Sequence, residues 1–155
     1  MPSRISPTQV AADPQMWNRM LTLHAHVETR LATALQRRHG LGLSEYRALV
    51  FLDEAPDNEL RMQDLAAKLG LNQSSVTRLV TRLNAADLTY RDLCPDDKRG
   101  VYTVLTDTGR TRYQEAVPTY ESTLTEALAE AAESDPAIAA ILTTARKPTP
   151  AQANP

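Results

Sequence analysis

Residues 65–80 read LAAKLGLNQSSVTRLV and contain two helical patterns with a break between them. Gly70 separates two helical patterns, because glycine readily adopts the left-handed conformation that ends a helix. Asn72 can then cap a new helix through its side-chain oxygen. The second pattern places four aliphatic side chains on one helix face, and they are Val76, Leu79, Val80 and Leu83. The stretch therefore predicts a short helix, a tight turn and a second, amphipathic helix.

The hydrophobic period changes after this pair. Residues 88–93 and 101–105 are rich in strand-forming side chains, and they flank the charged segment 95–100. This pattern predicts a β-hairpin with a charged tip. A helix, a turn, a helix and a hairpin in this order indicate a winged helix-turn-helix, whose second helix enters the major groove of DNA.

Helices are also predicted on the N-terminal side. Asp13 can cap a long helix that has Pro14 in its first turn and ends at Gly40. Trp17 lies on the apolar stripe of this helix. Ser44 can cap the next helix, which continues as far as the turn at 55–59.

The C-terminal side carries two further predicted helices. Thr106 begins a long one that extends to about residue 132, with Pro118 predicting a kink. Asp135 followed by Pro136 repeats the capped start and opens a short helix. The fold class is therefore mainly α with a small β-hairpin wing, that is, a winged helix-turn-helix plus a helical dimerisation region.

The elements divide the chain into four parts. We expect residues 1–43 to form the N-terminal part of the dimerisation region, 44–106 the DNA-binding domain, 107–146 the C-terminal helices of the dimerisation region, and 147–155 a disordered tail. The stripes of the terminal helices could pack within one chain, but they favour an interchain seam and hence a homodimer.

Charge and composition narrow the function. The net charge is -2, although residues 61–100 carry seven basic and five acidic side chains, which supports DNA binding only mildly. The single cysteine, Cys94, excludes an internal disulfide and a cysteine zinc cage within one chain. We find no motif that demands catalysis, so we expect no enzyme, no cofactor and no metal. No apolar run approaches the ~20 residues that span a bilayer, so we expect a cytoplasmic protein without a membrane partner.

The outer face of the second helix carries donors and acceptors that suit phosphates and base edges. We expect major-groove contacts from Gln73, Ser74, Ser75, Thr77, Arg78 and Arg82. At the wing, Lys98 and Arg99 are the predicted contacts, with Arg99 in the minor groove. Asp97 is predicted to orient the wing through a salt bridge.

These residues carry a resemblance to a known family. Residues 65–80 resemble the helix-turn-helix of the MarR family of bacterial regulators. Residues 97–99 and 105–109, which read DKR and LTDTG, are similar to its wing signature, which runs Asp-any-Arg to Leu-Thr-any-any-Gly. One departure is Asp87, where the family often has Gly; Asp tolerates the left-handed conformation better than most residues.

The resemblance implies a homodimeric, sequence-specific transcriptional regulator, usually a repressor, bound to a pseudo-palindromic site on double-stranded DNA. It also implies release by a small phenolic or other anionic effector, for which Trp17, His24 and Tyr46 are the possible pocket. His24 could instead be a core or interfacial histidine. The alternative function is a winged-helix module for protein interaction or ligand sequestration without DNA binding.

Overall fold

The computed structural model describes residues 5–93 and 100–148. The described residues form six α-helices and one small sheet. The helices are α1 (Pro7–His39), α2 (Leu43–Glu54), α3 (Met62–Leu69), α4 (Gln73–Ala85), α5 (Asp107–Ser134) and α6 (Pro136–Ala145). The strands are β1 (Glu59–Arg61), β2 (Thr89–Leu93) and β3 (Val101–Leu105).

The chain forms two compact units. One comprises residues 32–121, and the other combines the chain up to Leu31 with the chain from Ser122 onward. The first unit contains the helix-turn-helix and the strands of the predicted wing. It extends beyond the predicted 44–106 domain on both sides, and helices α1 and α5 each begin in one unit and end in the other.

The turn between α3 and α4 confirms the prediction from residues 65–80. Gly70 ends α3 with a φ of 65°, the left-handed conformation that favours glycine. The Asn72 side chain caps α4 by accepting from the Ser75 amide at 2.9 Å. The predicted aliphatic face of α4 is buried, and its members are Val76, Leu79, Val80 and Leu83.

The predicted starts of the first two helices are wrong. Helix α1 begins at Pro7, where Ser6 and Gln9 bond each other's amides in a capping box, and Pro14 lies inside the helix. Residues 5–18 are exposed, so the carbonyl that Pro14 leaves unpaired can bond water. Helix α2 begins at Leu43 and not after Ser44, because Glu45 Oε2 accepts from the Gly42 amide at 2.9 Å.

The sheet has one strand more than the predicted hairpin. Strands β2 and β3 pair antiparallel, with Thr89 opposite Leu105 and Leu93 opposite Val101. Strand β1 pairs with the other edge of β3, which gives the order β1-β3-β2. Strand β1 has only three residues, which carry too little pattern for the sequence to reveal a strand or its partner.

Two hydrogen bonds from Thr106 join the start of α5 to the turn after α4, and a third caps α5 itself. Thr106 Oγ1 donates to the Asp87 carbonyl at 2.7 Å and accepts from the Gly109 amide at 2.9 Å, while the Thr106 amide donates to the Leu88 carbonyl at 3.2 Å. Asp87 has a φ of 57°, which confirms its expected left-handed conformation. We call this set of contacts, with Gly109, the α5 joint.

Polar contacts in the second unit join the N-terminal part of α1 to the C-terminal helices. His26 Nε2 lies 2.8 Å from Glu130 Oε2, and Arg30 Nη2 donates to Glu130 Oε1 at 2.9 Å. Arg19 lies 3.1 Å from Asp135, whose side chain also caps α6 through the Ala137 amide at 2.9 Å. Within the described part of the chain, no helix is long and apolar enough to cross a membrane.

Replacing Gly109 by alanine tests the α5 joint. A Cβ atom at this buried position would lie 2.1 Å from the Leu88 carbonyl oxygen and 2.9 Å from a Leu105 methyl group. The backbone must then shift, so we expect Gly109→Ala to lower the free energy of unfolding by about 1 to 3 kcal/mol or more. Urea denaturation measures this loss. Thr108→Ala, at an exposed position in the same turn, is the matched control, and equal stabilities for the two variants would contradict the packing.

Candidate nucleic-acid interface

Helix α4 presents its polar side chains in three groups around the exposed surface. Successive helical residues are 100° apart, so the six predicted contacts do not share one line. They separate into a central pair, a pair on the side of the sheet and a pair on the side of α2. The pairs are Ser74 and Arg78, Gln73 and Thr77, and Ser75 and Arg82.

The central pair lies opposite the buried face of α4. Ser74 and Arg78 are both exposed, and Ser74 Oγ donates to Asn72 Oδ1 at 2.9 Å. Thr81 shares this face but was not among the predicted contacts. Its position follows from the helical period alone, so the sequence already held the signal. Along the centre of this face, Arg78 therefore lies between the hydroxyl groups of Ser74 and Thr81.

The pair on the side of the sheet is more restricted than its residue types suggest. Thr77 Oγ1 donates to the Gln73 carbonyl at 2.8 Å, and Thr81 Oγ1 donates in the same way to the Thr77 carbonyl at 2.8 Å. A threonine hydroxyl has a single proton, so in these rotamers it can only accept a further hydrogen bond. Thr77 consequently offers acceptor lone pairs and a methyl group, which suits the C5-methyl group of thymine.

The pair on the side of α2 is already engaged with the protein. Arg82 Nε donates to Glu45 Oε1 at 3.2 Å, and the other carboxylate oxygen of Glu45 holds the Gly42 amide at the start of α2. Ser75 is half-buried, whereas Gln73, Ser74, Thr77, Arg78 and Arg82 are exposed. The contact to Glu45 uses the Nε–H of Arg82, so further bonds to a base or a phosphate would come from its Nη groups.

Two other cations of this unit rest on aromatic rings. Arg61 Nε donates to the Tyr102 hydroxyl at 2.8 Å, and the guanidinium lies 5.5 Å from that ring's centroid. Lys68 Nζ lies 5.5 Å from the centroid of Phe51. These contacts, which sequence spacing cannot reveal, are typical cation–π arrangements.

The predicted wing contacts lie outside the described residues. Lys98, Arg99 and Asp97 belong to the segment 94–99, as does Cys94. Strands β2 and β3, which lead into and out of this segment, are described and paired in register. The roles of Lys98, Arg99 and Asp97 therefore stay predictions.

The three residues predicted to line an effector pocket have different surroundings. Tyr46 is 6% exposed and stacks on Tyr120 with ring centroids 4.7 Å apart, while Tyr113 meets it edge to face at 6.3 Å. Burial, with a smaller contribution from Tyr120, raises the pKa of Tyr46 to about 12, so its phenol is neutral at pH 7. Trp17 is 58% exposed, and His24 lies 3.8 Å from Glu28 on an exposed face of α1. These two belong to the other compact unit, and the shared pocket stays a prediction.

A polar cluster next to these rings ties α2 to α5. The Tyr113 hydroxyl donates a short hydrogen bond to Asp53, and Arg110 Nε donates to the same carboxylate at 2.8 Å. Arg110 also donates to Asn58 Oδ1 at 2.8 Å. The hydrogen bonds from Tyr113 and Arg110 lower the pKa of Asp53. Burial, followed by the hydrogen bond to Asp53, raises the pKa of Tyr113. The hydrogen bond from Arg110 to Asp53 raises the pKa of Arg110.

The histidines and carboxylates of residues 5–93 and 100–148 contain no group of three or more that could hold a metal ion. His24 and His26 contact different carboxylates, those of Glu28 and Glu130.

Comparison with known proteins gives a consistent result. Residues 39–100 match the sequence model of the MarR family. The crystal structure of Sco3205 in complex with DNA, a MarR family transcriptional regulator from Streptomyces coelicolor, is similar with 27% identity and a TM-score of 0.70, covering 99% of this chain and 97% of that one. No curated protein matches the chain.

Two further structures are similar. AbsC, a MarR family transcriptional regulator from Streptomyces coelicolor, has 26% identity and a TM-score of 0.68, with 93% of this chain and 98% of that chain covered. CouR from Rhodococcus jostii RHA1, solved bound to p-coumaroyl-CoA, has 26% identity and a TM-score of 0.60. The CouR comparison covers 67% of this chain and 71% of that chain.

Replacing Asp53 by asparagine tests the polar cluster. Because folding lowers the pKa of this carboxyl below its ordinary value of 3.8, its stabilising contribution is complete above that value and is lost as the pH falls through the lowered pKa. We expect Asp53→Asn to be less stable than the wild type at pH 7 and the difference to shrink toward pH 3. Urea denaturation across this range measures it, with exposed Glu54→Gln as the control. A difference that does not change with pH would contradict the assignment.

Proposed function

We propose that this chain, whose residues 39–100 match the sequence model of the MarR family, is a sequence-specific DNA-binding transcriptional regulator, a ligand-responsive homodimeric repressor that binds a pseudo-palindromic operator. The observation that carries this proposal is helix α4. It is capped by Asn72, buried on its aliphatic face, and exposed on a face of hydrogen-bonding side chains beside an antiparallel sheet. This is the arrangement in which a recognition helix reads the major groove.

We assign the base-reading role first to Arg78. It lies at the centre of the exposed face of α4, and an arginine can bond guanine O6 and N7 together. Gln73, Ser74, Ser75 and Thr77 complete the major-groove set. Arg82 joins the set through its Nη groups, since Glu45 engages only its Nε. Lys98 and Arg99 act from the wing, with Asp97 orienting them.

The exposed apolar side chains of the second unit support the homodimer. The first turns of α1 leave Val10, Trp17 and Leu21 exposed, and α6 leaves Ile141 partly exposed. Monomeric proteins rarely expose such clusters, because contact with a second apolar surface removes them from water. A second copy of the chain is the partner we propose, in keeping with two-fold operators.

The proposed effector is a small phenolic or otherwise anionic molecule. CouR, a relative of this chain, was solved with p-coumaroyl-CoA. Tyr46 would meet an anion as a hydrogen-bond donor, since its raised pKa keeps the phenol protonated. We propose no enzymatic activity, and we place the protein in the cytoplasm, where the chromosome that it would regulate lies.

Binding to DNA can be tested with two arginine variants. We expect Arg78→Ala to cost about 1 to 3 kcal/mol on a duplex selected from random DNA by the wild-type protein, and to relax discrimination at one base pair. Arg99→Ala should weaken binding to most sequences. Arg37→Ala, which removes an exposed charge at the end of α1, is the control. Gel shifts over a range of salt concentrations measure these effects, and a wild-type affinity independent of salt would favour the alternative of a protein-interaction or ligand-sequestering module.

The homodimer can be tested with a charge in the apolar patch. We expect the wild type to sediment as a dimer at micromolar concentration and Trp17→Glu to sediment as a monomer, because a carboxylate cannot enter an apolar seam without losing its hydration. Thr33→Glu places the same charge at another exposed position of α1 and should remain dimeric. A wild-type protein that is monomeric at this concentration would rule out the seam.

A further inference from the structure

A groove separates α4 from the two strands of the predicted wing. It encloses about 260 Å³, and its walls come from the end of β1, the start of α3, the N-terminal part of α4, the middle of β2 and the start of β3. A smaller groove of about 120 Å³ adjoins the same side chains of α4 and the sheet. Both grooves are lined by Met62, Thr77, Arg91 and Val101.

Arg91 lies on the side of the sheet that faces α4. Alternate residues of a strand share a face, so Thr89 and Arg91 lie on the same side of β2. The Thr89 hydroxyl donates to Asn84 Oδ1 of α4 at 2.6 Å, which identifies that side as the one toward the recognition helix. Asp92, the next residue, lies on the opposite face. The cation at Arg91 therefore borders the groove, and the adjacent carboxylate does not.

Arg91 forms no ion pair with a carboxylate among the described residues. Arg82 pairs with Glu45, Arg110 pairs with Asp53, and Arg61 donates to Tyr102. By contrast, no carboxylate of residues 5–93 or 100–148 forms an ion pair with Arg91, and its side chain is exposed. Within the described residues, Arg91 thus presents an exposed cation on strand β2 beside the groove.

The position of the groove identifies the ligand. If α4 enters a major groove and the hairpin tip enters the adjacent minor groove, one sugar-phosphate strand separates the two and must cross the gap between helix and hairpin. We propose that this groove holds that strand and that Arg91 binds one of its phosphates. The proposal rests on the proposed function and adds to it a contact that fixes the register of α4.

The residues around Arg91 agree with a phosphodiester ligand. A guanidinium can donate two parallel hydrogen bonds to two phosphate oxygens. Gln73 adds an amide donor from the first turn of α4, and Gly100 leaves one wall without a side chain. Base edges lie deeper in the major groove, where Arg78 reaches from the centre of α4. Arg91 should accordingly contribute affinity for DNA of any sequence.

The test compares Arg91→Ala and Arg91→Lys with Arg146→Ala, which removes the same charge from an exposed position at the end of α6. Each full-length variant is titrated against the duplex selected by the wild type and against a random duplex, at several salt concentrations. We expect Arg91→Ala to weaken both complexes by the same factor. The slope of log affinity against log salt should become shallower by about 0.9 for each arginine removed, or about 1.8 for a dimer.

A second measurement locates the phosphate. Neutral methylphosphonates replace the phosphates of the selected duplex one at a time. At one position in each half-site, the replacement should weaken the wild-type complex but leave the Arg91→Ala complex unchanged, since the partner is already absent. Arg91→Lys, which keeps a point charge without the paired donors, should retain part of the salt slope.

Three results would overturn the inference. If Arg91→Ala matches Arg146→Ala while the wild type binds DNA, the groove does not hold a phosphate and the proposed function stands. If Arg91→Ala affects only the selected sequence and leaves the salt slope unchanged, Arg91 reads a base. If the wild type binds neither duplex, the inference and the proposed function fail together.

Discussion

The close approach of Gly109 to the Leu88 carbonyl is the constraint on which the rest of the DNA-binding unit depends. Leu88 lies between the end of α4 and the start of β2, and its carbonyl faces Gly109 in the first turn of α5. Thr106 satisfies the backbone groups that this approach would otherwise strand, and Asp87 turns the chain through a left-handed conformation. The recognition helix and the strands of the wing are therefore positioned by the same few atoms.

This constraint explains why a short signature revealed so much of the fold. The pattern Leu-Thr-any-any-Gly at 105–109 places a buried side chain, a capping hydroxyl and a residue without Cβ in the order that the α5 joint requires. Likewise, Gly70 and Asn72 determine the turn before α4 through their own backbone and side-chain geometry. Local chemistry of this kind is legible in a sequence because its partners lie within a few residues.

The errors have an equally physical origin. Ser6-Pro7 and Asp13-Pro14 offer the same helix start, and only the Ser6–Gln9 reciprocal bonds favour the first. Helix α2 is capped through Glu45 and not Ser44, because Glu45 Oε2 accepts from the Gly42 amide. The other oxygen of Glu45 accepts from Arg82, which lies 37 positions away in the sequence. The pairing of β1 with β3 and the cation–π contact of Arg61 also join distant segments. The composition of the α4 face was predictable, but the engagement of Arg82 and the availability of Arg91 were not.

The sharing of helices between the two units limits how this protein can be divided. Residues 32–121 form a compact unit, yet their boundaries fall inside α1 and α5 and not in linkers. Excising that unit would cut α1 and α5 within the helix. About four backbone N–H groups at the cut in α1 and about four C=O groups at the cut in α5 would then lose their helical partners. A fragment cut at these boundaries would therefore begin and end on unpaired helix ends.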